Sequence, residues 1–426
     1  MITVGLDFGT HQTKVCVEEK NGVELSYSFF KFADTEGKLQ YTLPSIIMID
    51  GQNRLKYGYV PKGKKKKLIR YFKQATFTSI NNGQTQNEAI YYSIWYIAFI
   101  LFDLEEMYGQ DFAIQMGVPT DGARLTHQKQ LAAVILASAY TLVEDVFEND
   151  KEAFLACTLN QLKEKTEVAI YSKELKDNYG MLVFPEAYAC LMPLISSSKI
   201  ANGMSLMVDI GGGTTDISFF TIKKDPKTKQ YRPVVYDFNS INMGLNFLTS
   251  PDEMDPDRLD SNVQDVSEIL KNKRSDFSNN INQVCVALIG KLQREFKKQC
   301  NLRMERLMDA LKSRPIIYTG GGSTFTILRR GYGGFKDVIH ISEKEWRTKS
   351  IQELSTIKAL GLCPILSTAY GLSISVADDN ISCEPFQDIF ENIRGAEEEG
   401  GHVVNKYEYG KAYGGFSYGD DYDAWK

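Results

Sequence analysis

One pattern occurs twice in this chain, about two hundred residues apart, and it limits the fold more than any other feature. "ITVGLDFGTHQTKVCVEE" starts at residue 2 and "SLMVDIGGGTTDISFFTIKK" at residue 205. Each reads as an apolar strand, a glycine turn just after an aspartate, and an alternating strand leading out. Such an echo describes two related halves. A glycine in a strand-to-strand turn permits positive φ and lets the backbone approach a ligand closely. Consecutive inward N–H groups then form a nest for phosphate oxygens. Side chains would block that approach, so Gly211, Gly212 and Gly213 count as a group. Asp209 ends the incoming strand beside the nest, where a bare carboxylate would repel phosphate. It makes sense if it holds Mg²⁺, which is bound by one or two carboxylates plus phosphate oxygens. Asp7, Gly9 and the hydroxyl of Thr10 repeat the logic in the first copy. Two such turns facing each other would clamp a di- or triphosphate. For either turn taken alone, a hairpin with a glycine bulge is the plain alternative.

Other phosphate-binding patterns are absent. "KGKKKKL" lacks the spacing of G-x-x-x-x-G-K-[ST], and "GYGGFK" at 331–336 is wrong in spacing and context for a dinucleotide loop. A third glycine loop, "YTGGGST", follows the other two in order.

The rest of the chain reads as α/β. Asn21-Gly22 signals a hairpin. "YTLPSIIMID" and "QNRLKYGY" read as a strand pair, 85–108 as helix, "FAIQMGVP" as strand and 121–148 as a long amphipathic helix. Residues 148–165 look like a helical insertion, "TEVAIYSKE" like a strand, and "FPEAYACLMPL" like a helix start. Residues 250–312 are polar and helical, "RPIIYTGGGSTFTILRRGY" is strand, turn and helix, and "STIKALGLCPILSTAYGLSISV" holds a closing helix. From residue 384 the sequence is rich in Glu, Gly and Tyr with few aliphatics. That composition cannot bury a core, so disorder is expected there.

Charge and cysteine usage exclude several classes. A formal net charge of −5 argues against a nucleic-acid binder, and "KGKKKK" at 62–67 reads as a solvated loop. Seven cysteines without a C-x-x-C pair and four scattered histidines suggest neither a disulfide framework nor a zinc site. The start lacks the regions of a signal peptide, and the apolar stretch at 89–104 is shorter than a span and runs into "DLEEMYG". A cytoplasmic protein without membrane contact is expected.

The ordered motifs resemble the actin, DnaK-type chaperone and sugar-kinase ATPase superfamily. "GLDFGTHQTKV" is similar to its first phosphate loop, "MVDIGGGTTDIS" to its second, "IIYTGGGSTF" to its adenosine loop, and "FPEAYAC" and "STAYGLSIS" to its connecting segments. The resemblance runs in register to about residue 380. It implies an α/β fold, duplicated and ribonuclease H-like, with ATP or ADP and Mg²⁺ in a cleft between two lobes. Lobe I would be 1–200 (outer subdomain about 30–110). Lobe II would be 201–383 (outer subdomain about 240–312), with the closing helix 358–376 returning to lobe I and a tail at 384–426. Asp7 and Asp209 would sit near the metal. Gly9, Thr10, His11, Gln12 and Gly211–Thr214 would line the phosphates, and Gly321, Gly322 and Ser323 the adenosine. Glu295 and Lys298 resemble the pair that holds the ribose, with a solvated charged face as the alternative. Glu186 would orient the attacking water and Asp216 support that water or the metal shell, in slow phosphoryl transfer to water.

The two family branches place their phosphate lysine differently, and this chain has both. Lys14 stands seven residues after Asp7, as in actins; Lys73 in "RYFKQ" resembles the chaperone lysine, with Arg70 or Lys67 as alternatives for that match. Phe325 stands where chaperones have an arginine near the base. The first expectation is a DnaK-like switch ATPase without a peptide-binding domain, read by a protein partner that could dock on tail 390–426. The alternative is a filament-forming bacterial actin, and a small-molecule kinase ranks last.

Overall fold

The computed structural model describes residues 1–60, 67–78, 83–119, 125–171, 181–193, 205–224, 231–241, 243–245, 263–299, 316–335, 338–340, 346 and 350–374. Residues 62–66 of the lysine run and the 384–426 tail lie outside this set.

Ten strands make two sheets of the same design. In the first half these are β1 (Ile2–Asp7), β2 (Gln12–Asn21), β3 (Glu24–Phe29), β4 (Phe112–Val118) and β5 (Met181–Pro185). The second half has β6 (Ser205–Ile210), β7 (Thr215–Lys224), β8 (Tyr231–Ile241), β9 (Ile316–Thr319) and β10 (Val338–His340). The spatial orders are β5-β4-β1-β2-β3 and β10-β9-β6-β7-β8. In each, the first three strands form an antiparallel meander and the last two add in parallel on the other side. The duplication read from two turns therefore extends through five strands of each sheet; among the described residues the first sheet alone adds Leu43–Pro44, which pairs with β2. That is the two-lobed architecture expected of the actin-like ATPase fold. Both faces of the central strands are covered: Val4 and Leu6 on one face of β1 with Thr3 on the other, and Leu206 and Val208 on one face of β6 with Met207 on the other, are all buried.

Helices supply the cover. They are α1 (Phe72–Phe77), α2 (Gln86–Tyr108), α3 (Leu125–Thr141), α4 (Lys151–Ala156), α5 (Leu159–Tyr171), α6 (Glu186–Ala189), α7 (Val263–Gln299), α8 (Leu354–Ala359) and α9 (Cys363–Ser373). Helix α2 starts at a capping box. Thr85 Oγ1 accepts from the Glu88 N–H at 3.2 Å, and the Glu88 carboxylate accepts from the Thr85 N–H at 2.9 Å. It ends at Gly109 with φ 75°. Its apolar run faces the core, with Trp95, Tyr96 and Ile97 fully buried. Among the described residues no helix is long and apolar enough to cross a membrane. Helix α9, late in the chain, packs on β1 and β2 of the first sheet.

Two local expectations need correcting. "TEVAIY" is the end of α5, not a strand. Leu162, Thr166 and Ala169 fall at helical spacing on one buried face, and Trp95 Nε1 donates to Thr166 Oγ1 at 2.7 Å. Tertiary packing overrides the β-branched composition. After the third glycine loop there is no continuous helix. Two 3₁₀ turns, Gly321–Thr324 and Thr326–Leu328, are separated by Phe325 in extended conformation.

Candidate functional site

Asp7 is the last residue of β1, and Lys14 is its antiparallel neighbour on β2. The register alone brings the Lys14 ammonium to the Asp7 carboxylate, at 2.8 Å. The intervening turn is braced from outside. Ser45 Oγ donates to the Gly9 carbonyl at 2.7 Å, and the Ser45 N–H donates to the His11 carbonyl at 2.9 Å. The second turn is braced in the same way. The Gly211 N–H donates to Thr214 O, the Leu245 N–H to Gly211 O, both at 2.9 Å, and Thr215 Oγ1 to Met243 O at 2.8 Å.

The two turns meet. A Cβ on Gly212 would lie 2.7 Å from His11 Cβ, and one on Gly213 would lie 2.9 Å from Thr10 Cγ2. The third glycine loop closes against the second: Gly320 has φ 82°, and a Cβ there would lie 2.2 Å from Asp209 Oδ1. Together the three loops enclose a cavity of about 420 Å³, within the range of small-ligand sites.

Most residues singled out from the sequence line this cavity: Asp7, Gly9, Thr10, His11, Gln12, Lys14, Lys73, Glu186, Asp209, Gly211–Thr214, Asp216, Gly321 and Gly322. Of the candidate outer cations, Lys73 is the one at the cavity wall; Arg70 and Lys67 are not. Three residues stand elsewhere. Ser323 is fully buried and its Oγ donates to Gly320 O at 2.7 Å, so it ties the turn together. Glu295 and Lys298 pair with each other at 2.8 Å on the surface of α7 and do not line the cavity.

Sequence reasoning missed Gln74 and Gln128 on one wall, Ser240 on another, and Pro364, Ile365 and Thr368 on α9. Ser240 could have been found, because it stands opposite Asp216 in the β7–β8 register. Thr368 lies within "STAYGLSIS", the connecting segment quoted above, whereas Pro364 and Ile365 carry no local signal. They reach the cavity through the long-range packing of that helix.

Acids dominate the electrostatics. Asp7, Glu186, Asp209 and Asp216 gather around the cavity against Lys14 and Lys73, an excess of two negative charges if all ionise. Lys73, 3% exposed, pairs with the Glu186 carboxylate and lies over the Phe8 ring, 5.8 Å from its centroid. Burial raises the Glu186 pKa, with the Lys73 charge opposing. Burial, then the charges of Asp216, Glu186 and Asp7, pushes Asp209 up to about 8. Such a carboxylate awaits a cation. Among the described residues no three His, Cys, Asp or Glu side chains converge on one metal position. A cation here would therefore complete its shell with phosphate and water oxygens, as Mg²⁺ does. The donor set fits.

No protein-family profile matches the chain, and no curated protein matches it in sequence. Solved structures do match in shape. One described as the MamK double helical filament is 15% identical, with 87% of this chain and 97% of that chain covered and a TM-score of 0.39. MreB5 of Spiroplasma citri bound to ADP is 13% identical, with 92% and 98% covered and a TM-score of 0.43. Ta0583, an archaeal actin homolog in complex with ADP, is 15% identical, with 88% and 98% covered and a TM-score of 0.41. The assignment of architecture rests on the two matched sheets, not on these scores.

Proposed function

We propose that the chain binds ATP with Mg²⁺ in this cleft, hydrolyses it slowly, and uses the cycle to control its own assembly into filaments. The observation that carries the nucleotide reading is the pair of facing glycine turns around a cleft lined by four acids and two lysines. Backbone N–H groups of Gly9–Gln12 and of Gly212–Thr214 would hold phosphate oxygens from both sides. Lys14 and Lys73 would neutralise charge on the outer phosphates. Asp7 and Asp209 would hold Mg²⁺, which supplies further charge neutralisation there. Glu186 would accept a hydrogen bond from the attacking water, with Asp216 in support. The reaction asks the protein mainly for positioning and charge balance. Phe325 beside Pro364 and Ile365 provides an apolar wall suited to a base.

The filament reading is favoured by Lys14 on Asp7, the arrangement the actin resemblance implies. A switch ATPase read by a partner is the second reading, favoured by the Lys73–Glu186 pair, which suits the chaperone resemblance. The boundaries at 200 and 383 and a cytoplasmic location belong to the same proposal. ATP-dependent pelleting with electron microscopy of the purified chain separates the two. Filaments above a critical concentration are expected; slow turnover with no pelleting at any concentration supports the switch instead.

A further inference from the structure

Gly117 is the second-last residue of β4, a strand flanked on both sides by β1 and β5. Glycine weakens a strand, because it gives up the most backbone freedom and packs no side chain. Conformation does not ask for it here: its φ is not positive, and it sits in regular register opposite Phe184 of β5. Space does ask for it. A Cβ on Gly117 would lie 2.9 Å from Glu186 Cγ, 3.3 Å from Leu372 Cδ1 of α9 and 3.5 Å from Glu186 Oε1. Gln115, two residues back and so on the same face, donates from Nε2 to the Ile374 carbonyl at 3.2 Å, which shows that the end of α9 covers this face. The missing side chain is therefore a slot between β4 and α9, and the stem of Glu186 rests in it.

Glu186 cannot back away from that slot. It is the first residue of α6 and follows Pro185, which is held opposite Val118 in the β4–β5 register. The α6 backbone is also pressed onto α9, where a Cβ on Gly371 would lie 1.7 Å from the Ala189 carbonyl oxygen. With the backbone fixed, Cγ moves only by turning χ1. The staggered wells stand about 120° apart, so the turn swings the carboxylate off Lys73. We propose that Gly117 is the positioning residue for Glu186: its bare Cα lets that side chain lie against β4 with the carboxylate on Lys73, and any larger side chain turns it away. This rests on the ATP-hydrolysis reading above, in which Glu186 orients the attacking water. Gly117 does not line the cavity, whereas Glu186 and Lys73 do. It therefore acts through Glu186, and its substitution separates hydrolysis from binding.

The test is Gly117→Ala, which adds one methyl group. Single-turnover hydrolysis of bound ATP should fall at least about tenfold, since a misplacement of about 1 Å can cost a hundredfold. Affinity for a fluorescent ATP analogue should stay within about twofold. Unchanged hydrolysis would overturn the assignment. So would hydrolysis and affinity falling together, because Gly117 would then shape the sheet rather than place Glu186. A melting comparison checks the contact without any turnover. Gly117→Ala should lower the melting temperature less in a Glu186→Ala background, which has no Cγ to meet, than in the wild type; equal lowering in both would overturn the slot. If Gly117→Ala does not fold, adding Leu372→Ala relieves the crowding on the α9 side, and wild-type hydrolysis in that double variant overturns the proposal equally. A wild-type chain that binds the analogue but never hydrolyses ATP would overturn the hydrolysis reading itself, and with it the role of Glu186.

Discussion

Asp209 is held where an ionised carboxylate is disfavoured, half-buried and facing the charges of Asp216, Glu186 and Asp7. The backbone leaves it no escape: Gly320 packs so closely that a Cβ would overlap Asp209 Oδ1 and Ile210 O, at 2.2 and 2.5 Å. Gly320→Ala should therefore cost about 2 kcal/mol from its left-handed φ alone, more with the overlap, and should abolish nucleotide binding. Thermal melts with and without ATP·Mg²⁺ check both effects. Asp209→Ala or Glu186→Ala should eliminate ATP turnover in a phosphate-release assay; wild-type hydrolysis in both would remove the catalytic assignment. Asp209 was legible from sequence as a cleft-lining residue because its position is local, with only Ile210 between it and the glycine turn. Lys73 was only partly legible, since nothing in "RYFKQ" says which cation reaches the cleft. The short helix α1 decides it, turning Lys73 inward onto Glu186.

Helix α2 shows both a cap that follows from sequence and a charge that does not. Thr85 and Glu88 form their box from local spacing, so Thr85→Ala should lower stability by about 1 kcal/mol in denaturant unfolding. Glu105, one turn before the helix end, is a liability visible only in three dimensions. It is buried, close to the charge of Glu144 and to the negative end of the helix dipole. Burial, with Glu144 in second place, raises it to about 7. The unfolded chain ionises this group near an ordinary glutamate pKa of about 4.3 and the folded chain only near 7. Unfolding thus releases protons between these values, so stability falls as pH rises through that window and levels off above it. Glu105→Gln should flatten this part of the melting temperature profile between pH 4.5 and 7 and raise the midpoint at pH 8, by about a few degrees. A profile identical to wild type would refute it.

The whole molecule is built on repetition with one long-range closure. Strand order, direction and even the outer bracing of the glycine turns repeat between halves. Helix α9 then returns to the first sheet, where a Cβ on Gly5 of β1 would lie 2.3 Å from the Ser373 N and 2.4 Å from the Ala369 O. Only glycine lets helix and strand backbones approach so closely. The same helix gives the cleft Pro364, Ile365 and Thr368, so a ligand there joins elements from both ends of the chain. ATP·Mg²⁺ at a hundredfold excess over its dissociation constant should stabilise the fold by about 2.7 kcal/mol. A melting temperature indifferent to nucleotide would count against the cleft as its site.

The duplication and its two acidic glycine turns followed from the sequence alone, because strand alternation and glycine turns are properties of neighbouring residues. What only the tertiary structure decided was contact between residues far apart. It set His11 against Gly212, turned Lys73 onto Glu186, and packed α9 beside the cleft. It also left Glu295 and Lys298 paired on the surface and brought Gln128 to the cavity wall. Each depends on how helices stack on the two sheets, which local periodicity does not encode. The glycine turns can be read from a dozen residues; the walls that make a cavity around them come from distant parts of the chain.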